Sequence, residues 1–370
     1  MEPEFRILAS GTMRTGGSLL SNMMCAHSKM FVFGERFHFF RFCYGRYDPL
    51  CEKSVRRLLE HQRLRLRYRF DIDFDADAVF EEVKKRGLTY PVIFDEGMKY
   101  FLNKIGRSIW GEYVAMQWRD IPAFLNMYDN GRAIHVYRDP RSVLSSWKRL
   151  SFASENQYLN TIFNWIDSMN CIERYRRELP EDRYLVLCYE DIMADPDTHA
   201  HKICDFIGVD FEDGMLKPET WHDRLPKGLL INPRSAHEGE NIRGFSTSRT
   251  KNWVKNLESW EIALVEHLCH DLLERFGYEF HQEAYSTADI HKGLEALGRQ
   301  PLMMQRLNHL LSTGEGNPLY YNDPTDPKCW AAAKRDIAAK FTEAEAEDAK
   351  DYFEELDEIE AMLNAAYPEG

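Results

Sequence analysis

Residues 11–18 read Gly-Thr-Met-Arg-Thr-Gly-Gly-Ser, a glycine- and hydroxyl-rich stretch between an apolar run at 5–10 and an amphipathic run beginning with Leu19 and Leu20. A strand that turns through such residues into a helix presents several backbone N–H groups and a positive helix end to a phosphate. The segment therefore predicts an anion cradle. Gly11, Gly16 and Ser18 have the spacing of a Walker A loop, but Gly17 stands where that loop places its phosphate-binding lysine. Arg14 is the cation within the turn. The plainer reading of the same residues is a strand-turn-helix corner without a ligand.

A second candidate lies more than a hundred residues further on. Ala133-Ile134-His135-Val136-Tyr137 reads as a buried strand that ends in Arg138-Asp139-Pro140-Arg141 and passes into a helix containing Ser145, Ser146 and Trp147. Asp139 suits the N-cap and Pro140 the first helical position. Arg138 at the strand end and Ser146 about two turns later can face one crevice at the carboxyl edge of a parallel sheet, where a second phosphate could sit.

Together these residues resemble the sulfotransferases that use 3′-phosphoadenosine 5′-phosphosulfate (PAPS). The family's first motif, Gly-Thr-Pro-Arg-Ser-Gly-Thr-Ser-Leu-Leu, matches Gly11 to Leu20 apart from Met13, Thr15 and Gly17. Its second, an arginine at a strand end with a serine eight positions later, is matched by Arg138 and Ser146. Tyr184 to Asp191, followed by Asp195-Pro196 and by Phe206-Ile207-Gly208, is similar to its Tyr-Glu-Asp strand and Phe-Leu-Gly helix end. Ser248-Arg249-Thr250-Lys251-Asn252-Trp253 is a weaker match to its basic closing loop, since the usual Arg-Lys-Gly is absent.

The resemblance implies a three-layer α/β sandwich with a central, mainly parallel sheet of P-loop-like topology. It implies that Arg14, Thr15, Gly16, Gly17, Ser18 and Leu19 hold the 5′-phosphosulfate, that Arg138 and Ser146 hold the 3′-phosphate, that Tyr189 lies on the adenine side, and that Arg249 and Lys251 form a lid. PAPS is the expected co-substrate, with 3′-phosphoadenosine 5′-phosphate as product. Sulfuryl transfer also needs a group that takes the acceptor's proton. Phe31-Val32-Phe33-Gly34-Glu35-Arg36-Phe37-His38 reads as an apolar strand ending in Gly-Glu directly after the first helix. Carbohydrate-directed members of the family carry a glutamate at a similar place, which makes Glu35 the leading base and His38 the second candidate. The alternatives are a salt bridge from Glu35 to Arg14, Arg36 or Arg41, and a packed core histidine at 38.

The elements that must position these residues fit one large unit with an appendage. Strand and helix patterns alternate from residue 5 to residue 280, so residues 1–285 are expected to form the α/β domain. Residues 286–370 read as a helical extension, with helices at 290–297, 302–311 and 343–366 broken by turns at 314–318 and 323–327. The acidic tail and the arginines at 63, 65, 67 and 69 are most simply solvated faces, an acidic acceptor being the functional alternative for the arginines. The aromatic residues at 37–47 and 98–118 suit either an acceptor pocket or core packing.

A net charge of −13 disfavours a general nucleic-acid binder. Eight cysteines without a Cys-x-x-Cys pair, with neither a secretory leader pattern nor a membrane-spanning apolar stretch, point to a reducing cytoplasm. No metal site is expected: the pairs His199/His201 and His267/His270 lack a third ligand, and Ala76 replaces the glycine that a calcium loop at 71–82 would need. The acceptor is expected to be a sugar or a polar small molecule bearing a hydroxyl or amine, and the sequence sets no oligomeric state. A P-loop kinase or hydrolase, lacking its lysine here, and a noncatalytic nucleotide-binding scaffold are the competing classes.

Overall fold

Five short apolar runs become strands because both of their faces are covered, the condition that favours continuous rather than alternating hydrophobicity. In the computed structural model, which describes residues 3–150, 156–223, 229, 244–318 and 343–368, they are β1 (Phe5–Gly11), β2 (Met30–Gly34), β3 (Ile109–Tyr113), β4 (Gly131–Tyr137) and β5 (Tyr184–Cys188). They form one parallel sheet in the order β2-β3-β1-β4-β5. Phe5 pairs with Ile109 on one side of β1, and Gly11 pairs with Val136 on the other.

Parallel neighbours need crossover connections, and helices supply them. After β1 the chain enters α1 (Gly17–Cys25) and travels to β2 at one edge. The connection from β2 to β3 carries α2 (Phe39–Phe42), α3 (Glu52–Phe70), α4 (Ala76–Arg86) and α5 (Tyr90–Ile105); α6 (Ile121–Met127) leads to β4. After β4 the chain runs through α7 (Pro140–Leu150) and α8 (Asn160–Glu178) to β5 at the opposite edge. Departures in opposite directions from adjacent strands open a crevice at the carboxyl ends of β1 and β4.

Local signals act where the patterns place them. The Asp139 carboxylate accepts the backbone N–H of Arg141 at 2.8 Å, capping α7 ahead of Pro140. Asp75 caps α4 through the N–H of Ala78, so the acidic run at 71–82 is a turn and cap. The strand at 184 stops at Cys188, and Tyr189, Glu190 and Asp191 begin helix α9 (Tyr189–Ala194), not the strand their motif suggests. The reason is that the two acidic residues fall in the first turn of a helix, where its positive end favours them. Helix α10 (Pro196–Ile207) then ends on Gly208 at φ 84°, a left-handed cap that glycine adopts without strain.

The main core surrounds the sheet. Phe37, Phe39, Phe94, Trp110 and Trp118 are fully buried within it, with the Phe39 and Phe94 rings stacked 4.2 Å apart, so these aromatics are core rather than pocket lining. A second core joins α8 to α11 (Trp253–Asn256), α12 (Ser259–Leu268), α13 (His270–Arg275), α14 (Thr287–Gly298) and α15 (Pro301–Thr313). The turn expected at 323–327 lies outside the described residues.

Two solvated-face expectations are met only in part. Residues 63–70 belong to α3, whose 3.6-residue period sends alternate arginines to opposite sides. Arg63 and Arg67 pair with Glu355 of the C-terminal helix Glu343–Ala366, while buried Arg65 donates inward to the carbonyls of Arg36 (2.7 Å) and Phe37. In the acidic tail Asp351, Glu354, Asp357 and Glu358 are exposed, while Glu360 meets Arg57 and His61, and Leu64, Tyr352, Ile359 and Leu363 form a small apolar core beneath. Among the described residues no helix is long and apolar enough to cross a membrane, no group of His, Cys, Asp or Glu is arranged to hold a metal, and the seven cysteines are free.

Candidate active site

Backbone conformation builds the first half of the site. In the 11–18 turn, Arg14 (φ 72°) and Gly16 (φ 91°) are both left-handed, which curls the chain just before α1. The Thr15 hydroxyl donates to the Thr12 carbonyl at 2.8 Å and closes the curl. The leading N–H groups of a helix have no intrahelical acceptor, so the opening of α1 is an anion-binding surface. A Cβ on Gly16 would lie 2.4 Å from the Tyr189 ring, and one on Gly17 only 1.8 Å from the Tyr113 ring. Tyr113 thus fills the space that a Walker lysine would need to leave the loop, with its hydroxyl 3.4 Å from that of Thr15.

The second half converges on the same loop from β4. The Arg14 Nε donates to the Ser146 hydroxyl at 2.9 Å, and an Arg138 guanidinium N–H donates to the Arg14 carbonyl at 3.0 Å. Arg138 also lies over the Tyr189 ring, 4.2 Å from its centroid, and 3.8 Å from the Glu190 carboxylate. Four residues expected from separate parts of the sequence, Arg14, Arg138, Ser146 and Tyr189, are therefore one cluster. Burial, with the nearby Arg138 charge second, lowers the Arg14 guanidinium to about 10. Two cations held together in a partly dry crevice favour an anion of more than one charge.

The lid candidates sit less intimately. Arg249 ends a short turn, Thr247–Arg249, that packs against α9, and Lys251 is exposed beyond it. The Ser142 hydroxyl ties this turn to α7 by donating to the Thr250 carbonyl at 2.6 Å. Just behind, buried Arg141 binds Asp139 through two N–H groups, donates to Glu266 at 2.6 Å and stacks under Trp253.

Glu35 follows β2 directly, at φ 52°. Its N–H extends the sheet by donating to the Tyr113 carbonyl at 2.8 Å. Its carboxylate accepts the Ala115 N–H at 2.8 Å, and the next N–H of the same segment, that of Met116, is bound to the Gly11 carbonyl at 2.9 Å. The strap after β3 consequently holds Glu35 beside the end of β1 and the glycine-rich turn. About a quarter of the Glu35 side chain is exposed, and its second oxygen lies 3.6 Å from the His38 Nε2. His38 is completely buried, and burial together with Arg41 and Arg65 pushes its imidazolium well below the ordinary histidine range. A side chain so enclosed is placed less favourably for an acceptor than the partly exposed Glu35.

Three contributors escaped the sequence reading: Tyr113, Glu190 and Glu112. The available signal was an acid inside an apolar strand, Glu112 before Tyr113. The fully buried Glu112 carboxylate accepts the N–H groups of His38 and Phe39, fixing the turn that follows Glu35. Burial pushes Glu112 up to about 8. Between the ordinary carboxylate range and that value the unfolded chain releases a proton that the folded chain keeps, so stability falls as pH rises through this window. Denaturant unfolding at pH 5 and pH 8 should show a loss of about 2–4 kcal/mol from this group, which Glu112→Gln abolishes. An unchanged slope in that variant contradicts the assignment.

Against known proteins, residues 7–213 match the family model described as the Sulfotransferase family. The chain belongs to that family. Sulfotransferase 2A1 of Mus musculus is 32% identical over 127 residues, 31% of this chain and 41% of that protein. Carbohydrate sulfotransferase 5 of Mus musculus is 26% identical over 170 residues (40% and 42%), and the protein-tyrosine sulfotransferase of Drosophila melanogaster 19% over 134 residues (35% and 27%). The chain thus spans less than half the length of these relatives. Two solved structures share the fold: the sulfotransferase domain of the Synechococcus PCC 7002 olefin synthase (20% identity, TM-score 0.52, 75% of this chain and 96% of that one) and the sulfotransferase domain of the curacin biosynthetic pathway (17%, 0.53, 76% and 100%). The matched span contains the first three of the four motifs in order, and the loop at 248–253 lies beyond it.

Proposed function

We propose that this family member transfers the sulfuryl group of PAPS to a hydroxyl or amine of a sugar or polar small molecule. The convergence of Arg14, Arg138 and Ser146 at the mouth of the β1/β4 crevice carries this reading, because it pairs a helix-start cradle with a second cationic position. In it, residues 14–19 hold the 5′-phosphosulfate, Arg138 and Ser146 the 3′-phosphate, and Tyr189 the adenine side, while Arg249 and Lys251 close from above. Arg14 faces the charge that develops on the departing phosphate, and Glu35 takes the acceptor's proton. Residues 1–285 carry this chemistry and 286–370 brace it. Free cysteines favour a reducing, cytoplasmic setting.

A kinase or hydrolase reading finds less support. Tyr113 occupies the lysine's space, Asp139 is bound by Arg141 and Glu112 by two backbone N–H groups, leaving neither acid directed at a magnesium ion beside the loop. The scaffold reading required Glu35 turned away from the donor loop, whereas it is held at the same strap as Gly11.

Donor recognition is tested by thermal shift with nucleotides. The bisphosphate 3′-phosphoadenosine 5′-phosphate should raise the melting temperature more than ADP or AMP, since it alone fills both phosphate positions. Arg138→Ala should weaken it by about 1.5–3 kcal/mol with little change for AMP. Equal shifts for all three nucleotides would sink the reading. Product masses from labelled PAPS and an acceptor panel then identify the acceptor.

A further inference from the structure

The Glu35 carboxylate has a buried neighbour whose role the donor site does not explain. His38 sits in the left-handed region (φ 52°) at the start of α2, and every side of its ring is protein. On one side an Arg41 guanidinium nitrogen lies 3.5 Å from Nδ1. Guanidinium can only donate, so Nδ1 must be the lone-pair nitrogen, and the single proton of a neutral ring then resides on Nε2. Nε2 lies 3.6 Å from the Glu35 carboxylate, beyond hydrogen-bond length, and has no hydrogen-bond partner of its own. A buried N–H left without an acceptor is costly, and it relaxes by closing the short remaining distance to a carboxylate.

We infer that His38 is a positioning residue: a permanently neutral imidazole whose Nε2–H holds the second oxygen of Glu35 while the Ala115 N–H holds the first. The inference rests on the reading of Glu35 as the base. With both oxygens restrained, the carboxylate is held in one orientation toward the incoming acceptor proton. Neutrality of the ring matters, because an imidazolium would form an ion pair and reduce the basicity that the reaction needs.

The charges around the ring favour that neutral state. Arg41 from its own helix, Arg65 from α3 and Arg36 from the preceding loop oppose a positive ring, along with burial. Glu35 is the opposing acid; Glu112, from β3, is kept protonated by burial below about pH 8 and accepts the main-chain N–H of His38 itself. The Glu35 main-chain carbonyl also faces the ring and suits a donor there. Arg65 and Gln62 both donate to the Phe37 carbonyl, so α3 holds the whole turn in place.

Ring-15N histidine labelling of the full chain, with His38→Gln assigning the resonance, reads the tautomer directly. The expected result is an Nε2–H neutral ring from pH 5 to pH 8; a ring protonated on Nδ1, or titrating in that range, overturns the inference. Carboxyl-13C glutamate labelling, assigned with Glu35→Gln, follows the base. His38→Phe should move the Glu35 titration to higher pH, and His38→Gln, which restores an amide donor, should return it. An unmoved titration in a His38→Phe protein that still shows the parental thermal shift with 3′-phosphoadenosine 5′-phosphate refutes positioning. With the acceptor found in the labelled-PAPS panel, turnover should fall about 10–100-fold in His38→Phe and recover in His38→Gln. If Glu35→Gln instead turns over at the parental rate, the base assignment fails while the tautomer result stands, so the two failures are separable.

Discussion

Glu35→Gln is expected to transfer sulfate roughly 10²–10⁴-fold more slowly than the parent while binding 3′-phosphoadenosine 5′-phosphate at least as well. The amide keeps an oxygen for the Ala115 N–H, so the strap that ties β3 to the glycine-rich turn is preserved. What disappears is the lone pair proposed to take the acceptor proton. Donor binding should be spared, and slightly strengthened, because removing a carboxylate beside a polyanionic donor relieves repulsion. Single-turnover rates with saturating donor, alongside bisphosphate titration, separate the two effects. A folded Glu35→Gln protein that binds the bisphosphate and transfers sulfate at the parental rate is incompatible with Glu35 as the base.

Arg14→Ala is expected to damage both binding and chemistry. Its guanidinium reaches Ser146 across the crevice and, in the proposed donor placement, faces the departing phosphate, so donor affinity should fall by about 1.5–3 kcal/mol and turnover by a further ~10²–10³-fold. Arginine and alanine at φ 72° carry the same left-handed backbone strain of about 1–2 kcal/mol, which glycine relieves. Comparing Arg14→Ala with Arg14→Gly therefore isolates the guanidinium: equal catalytic losses assign them to the side chain, and a glycine variant with parental kinetics removes Arg14 from the mechanism. Arg138→Ala supplies the contrast, weakening ground-state binding of the bisphosphate without a comparable loss in the chemical step.

Much of this site was legible because it is encoded in short spans. The strand-turn-helix pattern at 5–24, the strand end at Arg138 with Ser146 two turns later, and the caps at Asp75, Asp139 and Gly208 depend on neighbours within a few residues. Local chemistry of this kind is readable without knowing what lies across the molecule. Even so, the tyrosine and two acids at 189–191 were misplaced on a strand, because the motif was read before the helix-start preference of its acids.

The sequence alone determined the anion-cradle geometry, the parallel α/β class and Arg14, Arg138, Ser146 and Glu35 as the residues to watch. Tertiary structure alone decided what surrounds them. Tyr113 fills the lysine's space because β3 pairs beside β1, a contact about a hundred residues long in sequence. His38 became a buried neighbour of Glu35 because α3 and β3 enclose it, and the arginines of α3 split between the turn after Glu35 and the C-terminal helix because of a 3.6-residue period. Burial and charge pairing arise from elements distant in the chain, and a side chain's protonation and reach follow from them rather than from its flanking residues.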